Sequence, residues 1–568
     1  ETEDDKTWRL CLARMDRRKM KITTEQKDDK VFISFNPEID PELKKYSEDS
    51  LARNSESMKY MPLMLWARNR FERNEDYKKY PQYEDDYKLA ISESKKIVEG
   101  LEDDKSEGQS FTLFYRSVPS YVCAVLIRDF LDKLDSEERE FCKDVIIKQA
   151  AAPLGDAYGY QIGDGIDAAI NALPLLLNLF PDDAADIKMI LLFTLFDSNP
   201  IGAGQQFSDY TIGAIFDVLW NESHADANSI FIGFLRLKPL YDKLLDSYQQ
   251  EYFRQEKYDL PKSKVLEAFY EKYHEEIARV TNNEINYSEI DVNQIDLDTL
   301  VTAFRLLPIE ISDEVHKTFM RQVFPIFSKE VFKDRHKRDK EHQFDYMARQ
   351  TFLEKLAYIV LSTKAEEIES YLRPFLDDFE GSDGAEDFFR EFVNAEDRVA
   401  QYEQFWIVWK LFYPKIVALA KGKGSKFYSK KIIRNYLLAG DYRREDAREW
   451  HTLKDREKSF FKKVSEDIGS SPSVLYSLAK LLTDIGSAFG DDGILWISDM
   501  IKNNPGLSSK ELEVNTVYYL ENLVRSYIFK NHHKVRTTLR LKNQIMIILD
   551  FLLEKGSVTA YLLREDIL

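Results

Sequence analysis

Apolar residues recur at spacings of three and four along most of the chain beyond residue 40, the spacing that lines one face of an α-helix. One clear stripe follows Ser471-Pro472-Ser473 and runs from Val474 to Phe489, with a stop signal at Gly490. A second stripe, from Ile494 to Ile501, closes at Asn504-Pro505-Gly506. Because neither short helix could bury its stripe alone, the two are predicted to form a hairpin.

The same pattern occurs upstream and predicts a series of helical hairpins. Their helices are placed at residues 111–134, 136–150, 165–180, 182–197, 207–221 and 227–247. The hairpins follow one another about every 35 to 45 residues, the period of HEAT-like repeats. No Trp, Pro or Gly recurs at a fixed offset, so the repeat is one of architecture only. The predicted fold is all-α, an extended α-solenoid of HEAT-like helical hairpins.

The N-terminal segment differs from the rest. Val31 to Phe35 is a compact apolar run closed by Asn36-Pro37, which predicts a short strand near the N-terminus. The chain opens with an acidic segment at Glu1 and without Met, so we expect a fragment of a larger protein. The predicted organisation is a connecting segment at 1–40, joined to an upstream domain, and three helical regions at 41–285, 286–382 and 383–568.

Composition narrows the classes of function. Hydrophobic residues make up 44% of the 568 residues, enough for a folded core, and the net charge of −19 repels phosphate backbones and anionic lipid. Three cysteines give neither a disulfide framework nor a metal knuckle, which favours a reducing, cytoplasmic compartment. The longest apolar stretch, Ile170 to Phe196, is broken by Pro181 and charged residues, so no membrane span or membrane partner is expected.

Motifs for chemistry are missing from the sequence. The segment Lys421 to Lys426 lacks the GxxxxGK[ST] spacing of a phosphate loop and is interpreted as a flexible basic loop. The glycines at 155–165 and 202–204 fit helix ends, with a ligand loop as the alternative. His274 begins like HExxH, but Ala278 stands at the second histidine position. We therefore predict no enzyme, no catalytic residue, no metal site and no cofactor in this segment, although a site assembled from distant residues is a third hypothesis.

Two basic stretches, 421–445 and 525–542, contrast with the acidic background. Basic charge with interleaved aromatics suits a nucleic-acid groove, and it equally suits an acidic protein partner or a solvated face. Tyrosines that fall off the apolar stripes are candidate contacts, with local packing as the alternative. The candidate partner-binding residues are Tyr158, Tyr160, Lys426, Tyr428, Lys430, Lys431, Arg434, Tyr442, Arg443, Arg444, Lys534, Arg536 and Arg540.

The stretch from Tyr121 to Ile147 closes one helix with Arg128-Asp129, opens the next with a cap at Ser136-Glu137-Glu138 and continues with Phe141-Cys142. In these features it resembles the helical C-terminal sensor regions of large bacterial STAND-type NTPases of antiphage defence. The ending from Phe551 to Leu568 is also similar.

That resemblance implies an α-solenoid sensor that recognises a viral protein. It also implies an upstream nucleotide-binding domain, where ATP and Mg²⁺ would bind, an effector domain, and self-association through the upstream region. The leading hypothesis is therefore a macromolecule-binding helical-repeat module whose partner is a phage protein. The alternative is a nucleic-acid-binding HEAT-like protein that uses the two basic stretches.

Overall fold

A computed structural model describes most of the chain. The described residues are 22–27, 30–35, 60–103, 110–151, 165–196, 209–255, 257, 260–333, 346–399, 402–421, 455–485 and 490–567. The chain forms two compact units, Glu1–Leu176 (unit 1) and Leu177–Leu568 (unit 2). Helices account for most of the described residues, which confirms the all-α class. The HEAT-like α-solenoid stays a prediction.

The N-terminal segment contains a β-hairpin. Strand β1 (Ile22–Lys27) pairs antiparallel with strand β2 (Lys30–Phe35), and Ile22 lies opposite Phe35. The strand predicted at Val31 to Phe35 is therefore present as β2. Its partner was missed because β1, with the sequence ITTEQK, has a single large apolar residue and no alternating pattern.

Unit 1 is built from short helices that pack in chain order. Helix α1 covers residues 60–71, and the later helices are α2 (Pro81–Asp85), α3 (Tyr87–Asp103), α4 (Ser110–Asp129) and α5 (Ser136–Ala151). Helix α3 packs on α2 and α4, and α4 packs on α5. Helix α4 ends at Asp129, before the predicted residue 134, because the chain turns at Phe130 into a 3₁₀ segment, Leu131–Lys133.

The Arg128-Asp129 pair at the end of α4 holds the end of α1. Arg128 donates hydrogen bonds to the carbonyl oxygens of Arg70 and Phe71 at 2.8 and 3.0 Å, and Asp129 accepts from Arg70 at 3.0 Å. These bonds add side-chain donors to carbonyl groups in the last turn of α1, where the regular helical ladder ends; the Arg70 carbonyl also accepts the N–H of Arg73 at 3.2 Å. The pair that the sequence singled out thus fastens two helices of unit 1 together.

The cap of α5 lies one residue earlier than expected. The carboxylate of Asp135 accepts the backbone N–H of Glu138 at 2.9 Å, and the Glu138 carboxylate accepts the N–H of Asp135 at 3.1 Å. This reciprocal arrangement is a capping box. Ser136 is the first residue of the helix rather than its cap.

Unit 2 contains the remaining helices, the first of which begins in unit 1. They are α6 (Gly165–Leu179), α7 (Ala184–Phe196), α8 (Asp209–Glu222), α9 (His224–Arg254), α10 (Lys262–Thr281), α11 (Leu297–Leu306), α12 (Glu314–Val331), α13 (Tyr346–Ser362), α14 (Ala365–Asp377), α15 (Asp383–Val399), α16 (Tyr402–Lys421), α17 (Asp455–Ile468), α18 (Pro472–Ile485), α19 (Gly490–Asn503), α20 (Thr516–Thr537), α21 (Leu539–Glu554) and α22 (Val558–Ile567).

Within unit 2, a helix commonly packs against the helix two positions further along the chain. One series is α9, α11, α13 and α15, and a second is α12, α14 and α16. Towards the C-terminus, α17, α19 and α21 form one series and α18, α20 and α22 form another. The predicted hairpin of α18 and α19 is present, but Gly490 has a φ of +51° and begins α19 instead of ending α18.

Aromatic rings fill the interior between these series. Phe327 of α12 and Phe352 of α13 have ring centroids 4.2 Å apart, and Phe352 also stacks on Phe375 of α14. Such ring pairs add stability beyond the apolar area that they bury. The breaks predicted near residues 285 and 382 fall between helices, after Thr281 and after Asp377, and both lie within unit 2.

Candidate functional site

Most of the candidate partner-binding residues lie outside the described part of the chain. This group comprises Tyr158, Tyr160, Lys426, Tyr428, Lys430, Lys431, Arg434, Tyr442, Arg443 and Arg444. The structure places three candidates: Lys534 and Arg536 in the last turn of α20, and Arg540 at the start of α21. Of the two basic stretches, the structure therefore describes the second, residues 525–542.

Two of these three cations are bound to carboxylates of neighbouring helices. Lys534 contacts Asp491 of α19 at 2.6 Å, and Arg536 lies 3.7 Å from the Asp566 carboxylate of α22. Arg536 also donates to the backbone carbonyl of Asp566 at 2.5 Å. Partial burial by itself would raise the pKa of Asp491. Hydrogen bonds from Lys534 and Tyr527 outweigh that effect and lower the pKa of Asp491. Lys534 and Arg536 therefore join the last helices, and their charge is partly neutralised.

Other cations of the stretch face solvent. Arg525, Lys530 and Arg540 are all exposed, and Arg525 donates to the side chain of Asn522 at 2.8 Å. Within the described part of the chain, the structure records no ion pair for Lys530 or Arg540. These side chains leave a modest positive charge on the exposed surface of α20 and at the start of α21.

Large apolar side chains accompany this charge. On α20, Tyr518, Arg525 and Phe529 recur at spacings of seven and four and share one face, and Phe529 is 87% exposed. On α22, Val558, Tyr561 and Leu562 share the face opposite to buried Ala560 and Ile567. Val558 and Leu562 are 73% and 64% exposed.

Contacts at both ends of α22 align it with α20. At the start of α22, the Ser557 hydroxyl bonds to Glu521, one turn after Tyr518. At its end, Asp566 lies 3.6 Å from His532 and close to Arg536. The two exposed apolar faces therefore belong to adjoining helices. We call the set Tyr518, Arg525, Phe529, Val558, Tyr561 and Leu562 the C-terminal surface.

Sequence reasoning found the charge of this region but missed its apolar side chains. Val558, Tyr561 and Leu562 follow a helical spacing, so they read as one more buried stripe. Their exposure depends on tertiary packing: α22 packs on α20 and α21, and Val558, Tyr561 and Leu562 lie on its exposed side.

The described residues bring together no group of three or more His, Cys, Asp or Glu side chains that could hold a metal ion. In the same part of the chain, no helix has both the length and the apolar composition that crossing a membrane requires. Comparison with models of known protein families and with curated protein sequences found no match.

Proposed function

We propose that the chain is a protein-binding module and that unit 2 is an α-solenoid of HEAT-like hairpins that presents the C-terminal surface to the partner. The observation that carries the proposal is the apolar outer face of α22, formed by Val558, Tyr561 and Leu562. Contiguous exposed apolar side chains mark interaction sites more often than they mark ordinary surface. The alternation of packed helices in unit 2 supports the solenoid form.

A protein partner suits this surface better than a nucleic acid does. Aliphatic side chains such as Val558 and Leu562 offer bases no ring to stack on, whereas they fill pockets of a protein partner. Lys534 and Arg536, which a phosphate backbone would need, are engaged with Asp491 and Asp566. The net charge of −19 further disfavours a polyanion.

The partner proposed from these features has an apolar centre and acidic groups beside it, opposite Arg525 and Lys530. Phe529 and Tyr561 are the expected anchors, because large aromatic side chains dominate interface energies. The resemblance to sensors of antiphage NTPases makes a phage protein the first partner to test. Recognition of such a protein would be the sensing step of the larger assembly.

The test is affinity capture from phage-infected and uninfected bacteria with the full chain as bait. Three baits are compared: wild type, the double variant Phe529→Ser/Tyr561→Ser, and the control Phe253→Ser. Phe253 is 69% exposed on α9, so its replacement removes a comparable exposed ring elsewhere in unit 2. Captures are repeated with nuclease and at high salt, and bound proteins are identified by mass spectrometry.

The proposal expects a phage protein that wild type and Phe253→Ser capture and that the double variant loses by about tenfold or more. Binding should persist at high salt, because apolar contacts are little affected by screening. Nucleic acid recovered at low salt and released by salt would contradict the proposal and favour the alternative. Equal capture by all three baits would remove the C-terminal surface from consideration.

A further inference from the structure

Helix α20, which carries three residues of the C-terminal surface, bends at Asn531. The backbone of Asn531 has a φ of −124° and a ψ of 28°, outside the range of a right-handed helix. Residues 516–530 and 532–537 therefore form two segments of α20 with different axes, here called the first and the second segment. A bend of this kind has a local cause, such as a side chain that enters the backbone hydrogen-bond ladder.

The side chain of Asn531 supplies such a cause. Its amide nitrogen donates a hydrogen bond to the backbone carbonyl oxygen of Tyr527, four residues earlier, at 3.0 Å. In a regular helix that carbonyl accepts from the backbone N–H of residue 531 alone. A polar side chain that bonds to the carbonyl four residues earlier favours a bent helix over a straight one.

Contacts with α19 join the two segments across the bend. The hydroxyl of Tyr527, in the first segment, donates to the carboxylate of Asp491. The ammonium group of Lys534, in the second segment, contacts the same carboxylate at 2.6 Å. Lys534, which the sequence suggested as a partner-binding residue, thus helps to fix the bend.

Helix α22 is fastened to both segments of α20. At the start of α22, Ser557 contacts Glu521 in the first segment. At its end, the Asp566 carboxylate lies 3.6 Å from His532 and 3.7 Å from Arg536 in the second segment. Arg536 also donates to the backbone carbonyl of Asp566. The angle between the two segments therefore sets the tilt of α22 against α20.

The tilt determines how the apolar side chains of the two helices are arranged. A bend of about 20°, acting over the roughly 9 Å of the second segment, displaces the end of α20 by about 3 Å. Side chains are in contact only within about 4–4.5 Å, so a shift of this size breaks or creates contacts. It would change the distance between Phe529, which precedes the bend, and Leu562, one turn before Asp566.

We propose that Asn531 is the positioning residue of the C-terminal surface: its amide holds the bend of α20, and the bend sets the position of α22 that the partner recognises. Asn531 is half-buried, and it acts on α22 through the contacts of His532 and Arg536 with Asp566. The clause on the partner rests on the proposed function, whereas the effect of Asn531 on α22 does not.

The test compares the full chains of wild type, Asn531→Ala and Asn531→Ser by hydrogen–deuterium exchange of α22, followed by mass spectrometry. Ala removes the side-chain donor and favours a straight helix. Ser keeps a donor for the carbonyl four residues earlier. Asn522→Ala, the same replacement in the first segment, is the control. The second readout is capture of the phage protein from infected bacteria.

Amides at the end of α22 should exchange about fivefold faster in Asn531→Ala than in wild type, as expected for loss of exposed polar contacts. Asn531→Ser and Asn522→Ala should exchange like wild type. The melting temperature of Asn531→Ala should change little, because a gain in helix propensity offsets the lost hydrogen bond. Phage-protein capture should fall by about threefold or more in Asn531→Ala and persist in Asn531→Ser.

A double variant tests the route from Asn531 to α22. Arg536→Ala removes both contacts of Arg536 with Asp566 and should itself speed exchange at the end of α22. If Asn531 acts through this link, Asn531→Ala/Arg536→Ala should exchange hardly faster than Arg536→Ala alone. Fully additive effects of the two replacements would overturn that route.

Wild-type exchange of α22 in Asn531→Ala would overturn the proposal. Fast exchange in Asn531→Ser as well would show that the bond to Tyr527 does not hold α22. Unchanged capture by Asn531→Ala, with faster exchange, would overturn the clause on the partner. If wild type captures no phage protein, the proposed function fails, and the exchange experiment still decides the role of Asn531.

Discussion

Arg349 of α13 donates a hydrogen bond to Asp387 of α15 at 2.5 Å, and both side chains are almost fully buried. Asp387 also lies 2.9 Å from Arg390, on the next turn of its own helix. The bridge joins two neighbouring helices of the series α9, α11, α13 and α15. A buried charged pair typically adds little net stability over a well-packed apolar pair, although losing one partner is costly.

Breaking this pair from one side should be costly. Arg349→Ala removes the buried cation that contacts the Asp387 carboxylate, and we expect a loss of about 3 kcal/mol in the free energy of unfolding, because Arg390 still contacts Asp387. The double variant Arg349→Met/Asp387→Leu should recover most of that loss, because it removes both charges. Chemical denaturation measures all three. The exposed pair of Arg373 and Glu369 is the control, and Arg373→Ala should cost at most about 1 kcal/mol.

Gly384 provides a test of helix packing. A Cβ atom there would lie 1.8 Å from the carbonyl oxygen of Val331, the last residue of α12, and backbone atoms cannot rotate away. Gly384→Ala should therefore destabilise unit 2 by about 1–3 kcal/mol or more. At Gly506 no atom lies within 4 Å of the same added group, so Gly506→Ala should be nearly neutral. Equal melting temperatures for the two variants would refute the close approach of α12 and α15.

Mutations at the start of α5 test whether Asp135 or Ser136 caps the helix. Asp135→Ala removes the acceptor of the Glu138 N–H, and we expect it to cost about 0.5–2 kcal/mol. Ser136→Ala should change stability by only a few tenths of a kcal/mol, roughly the difference in helix propensity. Thermal unfolding of unit 1 would decide between them. A larger effect at Ser136 than at Asp135 would restore the cap that the resemblance implied.

His316 should make stability depend on pH. Its ring is fully buried against Trp220 and Phe231, and burial lowers the pKa of His316 to about 4. The unfolded chain, with a histidine pKa near 6.5, then binds more protons than the folded chain between about pH 6.5 and 4. Stability contributed by neutral His316 is complete above about pH 6.5 and falls by about 1.4 kcal/mol per unit as the pH decreases through this window.

The variant His316→Phe should remove that part of the pH dependence. Urea unfolding at pH 7, 6 and 5 gives the slope of the unfolding free energy against pH for wild type and for the variant. The difference between the two slopes isolates the contribution of His316 from that of nearby carboxylates, Asp313 among them. His274 is exposed on α10, so His274→Gln serves as the control and should keep the wild-type slope. A wild-type slope in His316→Phe would mean that the ring accepts a proton without loss of stability.

Much of the fold could be predicted because helical spacing and apolar runs are patterns of residues that are close together in the sequence. Stripes at helical spacing placed α5, α6 and α8 within about two residues of their observed ends. The run from Val31 to Phe35 likewise predicted β2. Two errors arose where the local pattern was weak. The hairpin partner β1 is too polar to be predicted as a strand. Helix α9 extends to Arg254, whereas the predicted helix ended at residue 247.

The sequence by itself determined the helical class, the breaks between helices and the basic character of residues 525–542. Only the tertiary structure decided which of these cations are engaged, because Asp491 and Asp566 are distant in sequence from Lys534 and Arg536. It likewise decided that the stripe of α22 faces outward and that Lys355 lies buried beside Arg305 and Asp217. Helical periodicity follows from backbone geometry within a few residues, whereas burial and charge pairing depend on which helices become neighbours.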